Sequence, residues 1–155
     1  MREEEAIELL GEIEIVGEVV GKQRPRATSF GGRVKVYTPK KSQNYEARVA
    51  MAWRENFKGD PTTKPVAVFI VACLPLVKCD YNSKGEPNKH GERKLLGKEK
   101  PMKKPDIDNI AKSILDGLNG VAFADDSQIV SLEVRKTYGT MAKATVRIYV
   151  YNQGE

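Results

Sequence analysis

Chemistry in this chain concentrates in one segment, Lys104-Pro105-Asp106-Ile107-Asp108-Asn109 followed by Phe123-Ala124-Asp125-Asp126-Ser127-Gln128-Ile129. It holds four carboxylates at the two ends of a short helix-like stretch, inside an otherwise basic chain. Carboxylates brought together repel when ionised, so a cluster of them calls for a cation. A hard divalent ion such as Mg²⁺ takes oxygen ligands and leaves positions for substrate phosphates. Acidic ligands set among Lys and Arg point to metal-dependent chemistry on nucleic acid phosphates.

Each part alone has a plainer reading. A lone Asp at a helix start is most often a cap. An Asp-Asp between helix and strand is most often a turn. Lys112 and Asp116 alone are an exposed i,i+4 pair of little weight, and Asp-x-Asp also occurs in calcium loops. The combination is what points to a site. Asp106 and Asp108, two apart in chain entering a helix, project to one side. Pro105 keeps Lys104 out of the helical region. Asp108 is the expected N-cap, with Asp106 beside the positive end of the helix dipole. Lys112 and Asp116 follow at one-turn intervals on the face opposite the apolar stripe. Asp125-Asp126 is expected to fold back to the helix start.

The elements that must position these groups are legible in the apolar pattern. A helix is predicted from about Asp108 to Leu118, with Ile107, Ile110, Ala111, Ile114, Leu115 and Leu118 forming one core-facing stripe; Asn119-Gly120 stops it. A second helix of about four turns is predicted over Gln43 to Phe57, with Ser42 as N-cap and Tyr45, Val49, Ala50 and Trp53 at helical spacing. Tyr45 and Trp53 read as helix core or dimer surface rather than base-stacking platforms. Strands are predicted over Glu12–Val20 and Pro65–Leu74. Gln128–Tyr138 and Ala142–Tyr151 read as an antiparallel hairpin. Residues 1–11 read as an acidic N-terminal extension with a short helix through Glu5–Leu10, and residues 12–155 as a single domain.

Gly21 to Lys41 holds seven basic residues and no acidic one, with Gly31-Gly32 permitting a tight turn, and reads as a basic β-ribbon or loop. Lys78 to Lys104 is polar, with nine basic and four acidic residues, and long for a structureless loop; a helical turn is expected over Arg93–Lys98. His90, the only histidine, has no Cys or Glu at ligand spacing and reads as a surface residue. The fold class that results is α+β: a mixed, largely antiparallel sheet packed against two main helices.

Composition excludes several classes. The longest apolar run, Val66 to Val77, contains a Pro and is too short to span a bilayer. The start, Met1-Arg2-Glu3-Glu4-Glu5, is not that of a secretory signal. Cys73 and Cys79 are expected as reduced thiols of a cytoplasmic protein. Residues 1–18 hold seven Glu and one Arg, so the net charge of +5 hides a strongly cationic body suited to a polyanion.

The runs Lys104-Pro105-Asp106-Ile107-Asp108-Asn109-Ile110-Ala111-Lys112, Leu115-Asp116-Gly117-Leu118-Asn119-Gly120 and Asp125-Asp126-Ser127-Gln128-Ile129 resemble the RusA family of Holliday junction resolvases. Gly21-Lys22-Gln23-Arg24-Pro25-Arg26 resembles the family's basic N-terminal motif, and Tyr37-Thr38-Pro39-Lys40 the segment before its first helix. The resemblance covers about Glu12 to Val150. It implies Asp106, Asp108 and Asp126 as essential Mg²⁺ ligands, Asp125 as an auxiliary ligand and Lys112 as the active-site lysine, with Mn²⁺ as a substitute metal. It further implies a homodimer that cuts four-way DNA junctions by paired nicks leaving 5′-phosphates, in a bacterial or phage-encoded, nucleoid-associated setting. Lys78–Met102 matches no family segment. Gly117 stands where the family more often has Ala, a change that loosens a helix end.

On this reading the metal lowers the pKa of a bound water, and Lys112 offsets charge on the scissile phosphate. Which Asp takes the proton is open. Lys22, Arg24, Arg26, Lys40 and Lys104 are the expected phosphate contacts. Phe30 is either a wedge at the junction centre or a dimer or core contact. The alternatives are a broader branched or flap DNA nuclease, a binding-only junction protein holding a structural ion, and, weakest, a calcium-binding module.

Overall fold

The most apolar strand of the chain occupies the middle of its sheet. In the computed structural model, which describes residues 6–152, β4 (Val66–Pro75) is flanked by β6 (Lys143–Asn152) and β5 (Ile129–Gly139). β1 (Ala6–Val16) pairs outside β6, giving the order β1-β6-β4-β5. β4 and β5 run parallel; the other neighbours are antiparallel. The α+β class and the mixed, mostly antiparallel sheet are as expected.

The hairpin expected between β5 and β6 does not form, because β4 lies between them. Alternation in both strands was read as one pair, but the position with neighbours on both sides goes to the strand that can be buried most completely. That strand is β4, whose Val66, Val68, Ile70 and Ala72 are fully buried. β5, with Ser131, Glu133 and Arg135 exposed, takes the edge.

A second correction concerns the N-terminus. Ala6–Leu10 is strand, paired with β6 from Ala6↔Asn152 to Leu9↔Tyr149, and not helix. Ile7, Leu9, Ile13 and Ile15 alternate with glutamates, except for a register shift between Leu9 and Gly11. Alternation outweighs the helical propensity of Glu and Leu once a partner strand is available. Glu5, where the expected helix starts, lies outside the described residues.

Helices cover one face of the sheet. α1 (Lys40–Asn56) buries Ser42, Tyr45, Val49 and Trp53, so both aromatics are core residues. It begins earlier than expected, with Pro39 at the cap position; the Ser42 hydroxyl instead accepts a hydrogen bond from the Gln23 amide at 2.9 Å. α3 (Ile107–Leu118) buries Ile110, Ala111, Ile114 and Leu118 along the stripe, while Ile107 at its start is half-exposed. Each fully buried Ile or Leu contributes roughly 1.5–3 kcal/mol. Gly117 is where α3 meets α1. A Cβ there would lie 2.8 Å from the Glu46 carbonyl oxygen and 2.8 Å from Val49 Cβ. The glycine thus permits close helix packing rather than loosening the helix.

Residues 78–104 are folded rather than loop-like. α2 (Lys89–Leu95) starts earlier than the expected turn and is capped by Asn88, whose Oδ1 accepts from the Gly91 amide at 3.0 Å. Asp80 is fully buried and accepts from the Val77 amide at 2.9 Å and from Lys94 Nζ at 2.9 Å and 3.1 Å. Lys94 Nζ also sits 4.8 Å from the centroid of the Tyr138 ring on β5. His90 is 52% exposed but not an idle surface residue: Nδ1 lies 3.1 Å from Asp80 and Nε2 3.0 Å from Glu99. β2 (Arg26–Phe30) and β3 (Arg33–Tyr37) form the expected basic ribbon, turning at Gly31-Gly32, as a separate two-stranded sheet. Cys73 and Cys79 are free thiols. Among the described residues no helix is long and apolar enough to cross a membrane.

Candidate active site

The basic arm Gly21–Arg26 is fastened along the start of α3. The Lys22 amide donates to the Asn109 carbonyl at 2.8 Å, and the Val20 carbonyl accepts from the Ser113 hydroxyl at 2.7 Å. Gly21 permits the approach, since a Cβ there would lie 2.9 Å from Pro105 Cβ and 3.2 Å from Asn109 Cβ. The result is a groove of ≈ 470 Å³ lined by Lys22, Gln23, Arg24, Arg26, Lys104 and Asp106, among others. An adjoining hollow is lined by Lys41, Lys104, Pro105 and Asp106. Four of the five expected phosphate contacts therefore surround one carboxylate of the motif. A larger hollow, ≈ 570 Å³, lies on the open face of the sheet over Phe69 and Tyr149. None of the motif residues lines it, so size does not mark the site here.

Lys22 is ion-paired within the chain. Its ammonium bonds Glu46 on α1 and lies 3.0 Å from Asp116 Oδ2 on α3. Burial alone would lower its pKa; the two carboxylates outweigh that and raise it. These two carboxylates compensate its charge, and it clamps the arm to both helices while lining the groove. Asp116 consequently pairs with Lys22, and among the described residues Lys112 has no ion-pair partner and is exposed. Arg24, Arg26 and Lys104 are exposed on the groove. Lys40 is exposed but outside the residues lining it. Sequence reasoning gave no role to Gln23 and Asn109 on the groove or to Lys41 on the adjoining hollow, although Gln23 and Asn109 both stood inside quoted motifs.

At the helix start Asp106, not Asp108, occupies the N-cap position, and it makes no side-chain cap bond. Asp108 lies in the first turn and accepts from the Asn109 amide at 2.9 Å. Both carboxylates are exposed, so neither is used up in folding. Asp125 and Asp126 sit beyond the other end of α3. Asp125 caps the short 3₁₀ turn Asp126–Gln128, and its hydrogen bonds from Ser127 hold its carboxyl below the usual range. Gln128 ties that turn to the Thr62 and Lys64 carbonyls, at 2.8 Å each.

The expected fold-back of Asp125-Asp126 to the helix start does not occur within the chain. α3 spans 12 residues, about 18 Å at 1.5 Å per residue. Among the described residues no three His, Cys, Asp or Glu side chains gather closely enough to hold a metal ion. The individual donor types suit a hard divalent cation, but one chain does not assemble them.

Comparison with known proteins decides the family. The family model for endodeoxyribonuclease RusA matches residues 17–149. The chain belongs to the RusA endodeoxyribonuclease family. It is thus a hydrolase of DNA phosphodiester bonds, a crossover junction endodeoxyribonuclease. The chain is also 34% identical over 134 residues to a Bacillus subtilis (strain 168) protein, "Uncharacterized protein YqaN", covering 86% of this chain and 92% of that one. The RusA match takes in the basic arm, both main helices, the Asp-x-Asp-Asn motif and the Asp-Asp pair.

Proposed function

We propose that this RusA-family chain is a Mg²⁺-dependent, structure-selective endonuclease that resolves four-way DNA junctions by paired nicking, as a homodimer, in DNA recombination and repair in the bacterial cytoplasm. The observation that carries this reading is the groove in which Arg24, Arg26 and Lys104 surround Asp106 at the start of α3. Cationic side chains there bind backbone phosphates without reading bases. They hold a strand so that a phosphate faces the exposed Asp106–Asp108 pair. Lys112, one turn further along α3 and without an ion-pair partner among the described residues, offsets charge that develops on that phosphate. A divalent ion, Mg²⁺ with Mn²⁺ as substitute, would supply water activation, but one chain brings together no complete ligand set, so no step is derived through it.

Junction preference is supported by the β2–β3 ribbon. Phe30 at its tip is 91% exposed, which removes the core-contact reading. An apolar wedge presented on a basic ribbon fits the open centre of a junction, where unstacking is cheapest.

The test is purified protein with a labelled four-way junction, a three-way junction and a linear duplex of the same sequence, each with Mg²⁺ or with EDTA. Selective Mg²⁺-dependent nicking of the four-way junction is expected. Equal cutting of three-way junctions would make it a broader branched-DNA nuclease, and binding without cutting would refute an enzyme.

A further inference from the structure

We propose that residues 96–104 form a second phosphate-binding surface, continuous with the groove at Lys104, which grips one duplex arm of the DNA beside the strand to be cut. The proposal rests on the nuclease reading for its partner, but it concerns a segment that the site at the start of α3 does not use.

The segment is held in place by the end of β5. The Asp80 carbonyl accepts from the Asn88 amide at 2.8 Å, and its carboxylate takes Lys94 of α2. Gly91 lets α2 approach this closely, since a Cβ there would stand 2.5 Å from the Asp80 carbonyl oxygen. Lys94 Nζ and Lys103 Nζ lie 4.8 Å and 5.6 Å from the centroid of the Tyr138 ring. Lys136 Nζ donates to the Lys103 carbonyl at 2.5 Å. Val134 and Tyr138 pack against the core, so this alternate set of β5 side chains, Lys136 included, faces the side of the sheet that carries α3. The chain between α2 and Asp106 is thereby anchored on the same side as the groove.

The charge left on it is of one sign. Residues 78–104 hold nine basic and four acidic residues. Asp80 is buried against Lys94, and Glu99 lies 3.0 Å from His90. Lys98, Lys100, Lys103 and Lys104 are exposed, and among the described residues none of them has an ion-pair partner. Cations presented together without anions of their own suit a polyanion. Met102, 96% exposed among them, adds an apolar side chain suited to a DNA groove.

Continuity selects DNA over an acidic protein. Lys104 lines both the groove and the adjoining hollow beside Asp106, so the surface begins where the groove ends. Lys100 stands six residues before Asp106, at most about 22 Å along extended chain. At 3.4 Å per base pair its contact falls within about six pairs of the cut. That places it on an arm rather than at the junction centre facing Phe30.

The test is the Lys98→Gln/Lys100→Gln double variant, bound to a four-way junction in EDTA so that binding is read without cutting. Two lost phosphate contacts should reduce the dependence of log Kd on log salt by about 1.8. Phosphate-ethylation interference should disappear at positions on one arm within about six pairs of the cut. Arg54→Gln/Lys58→Gln, with the same change in net charge at the far end of α1, should leave slope and interference unchanged. Circular dichroism should show both variants folded, since all four side chains are exposed. An unchanged slope for Lys98→Gln/Lys100→Gln, or an equal fall in both variants, overturns the proposal and leaves the nuclease reading standing. A wild type that binds no junction overturns both.

Discussion

Lys22 Nζ lies 3.0 Å from Asp116 Oδ2 while also bonding Glu46, so one ammonium joins the basic arm, α1 and α3. Its neighbours Arg24 and Arg26 point into the groove without such partners among the described residues. The three cations should therefore behave differently. Replacing Arg24 or Arg26 by Ala should each reduce the dependence of log Kd on log salt by about 0.9, one phosphate contact. Lys22→Met should leave that slope unchanged and instead lower the midpoint of thermal unfolding. Titrating junction affinity against salt for the three variants checks this.

Gly117→Ala separates helix propensity from packing. Propensity alone predicts stabilisation of about 1 kcal/mol. The added Cβ would stand 2.8 Å from backbone oxygen of Glu46 and from Val49 Cβ, and overpacking of this kind costs roughly 1–3 kcal/mol. The variant should be less stable than the wild type in urea unfolding.

The buried Asp80–Lys94 pair gives the domain a defined response to pH. Burial would raise Asp80, but the Val77 amide, Lys94 and His90 outweigh it and hold the carboxyl below its ordinary value. The hydrogen bond from Lys94 to Asp80 raises Lys94 above its own. The stability from Asp80 is complete above its unfolded pKa of about 3.9 and is lost as pH falls through the depressed folded value. That from Lys94 is complete below about 10.4 and is lost as pH rises through the raised one. Asp80→Asn should lower the urea midpoint at pH 7 and flatten the acid-side loss below pH 4. Asp80→Asn with Lys94→Met should recover part of the midpoint, because no buried charge is left unpaired.

Phe30→Ala should melt with the wild type, since a side chain this exposed adds nothing to the core. Its effect should fall on junction nicking, with duplex binding unchanged. Gel-shift and nicking assays on both substrates read the difference.

Local pattern carried much of this molecule into view. The stripe on α3 and the apolar run of β4 need only their own residues to be recognised, and both form where expected, with Ile107 at the helix start left half-exposed. Neighbour relations were less legible. Alternation made β5 and β6 strands but could not say that β4 would separate them, because that choice depends on which strand of the whole sheet is most apolar. Asp80 and Lys94 looked like two charges in a polar run; nothing local announces that they bury each other. At the site, the Asp-x-Asp-Asn motif and the basic arm were each legible as motifs, and the fold brings Asp106 and Asn109 of the one beside Arg24 and Arg26 of the other. The position of Asp125-Asp126 was not legible, since spacing in sequence does not reveal that a rigid helix and a strand end hold the two pairs apart. The ion pairs of Lys22 were hidden for the same reason: its partners Glu46 and Asp116 are distant in sequence.

The groove at the start of α3 is the centre of this account, and single-turnover nicking of a labelled four-way junction by Asp108→Asn tests it most directly. Nicking should fall by at least about 100-fold, with junction affinity kept or slightly tightened because a charge facing phosphate is gone. An Asp108→Asn protein that nicks the junction at the wild-type rate in Mg²⁺ would contradict the assignment of the site.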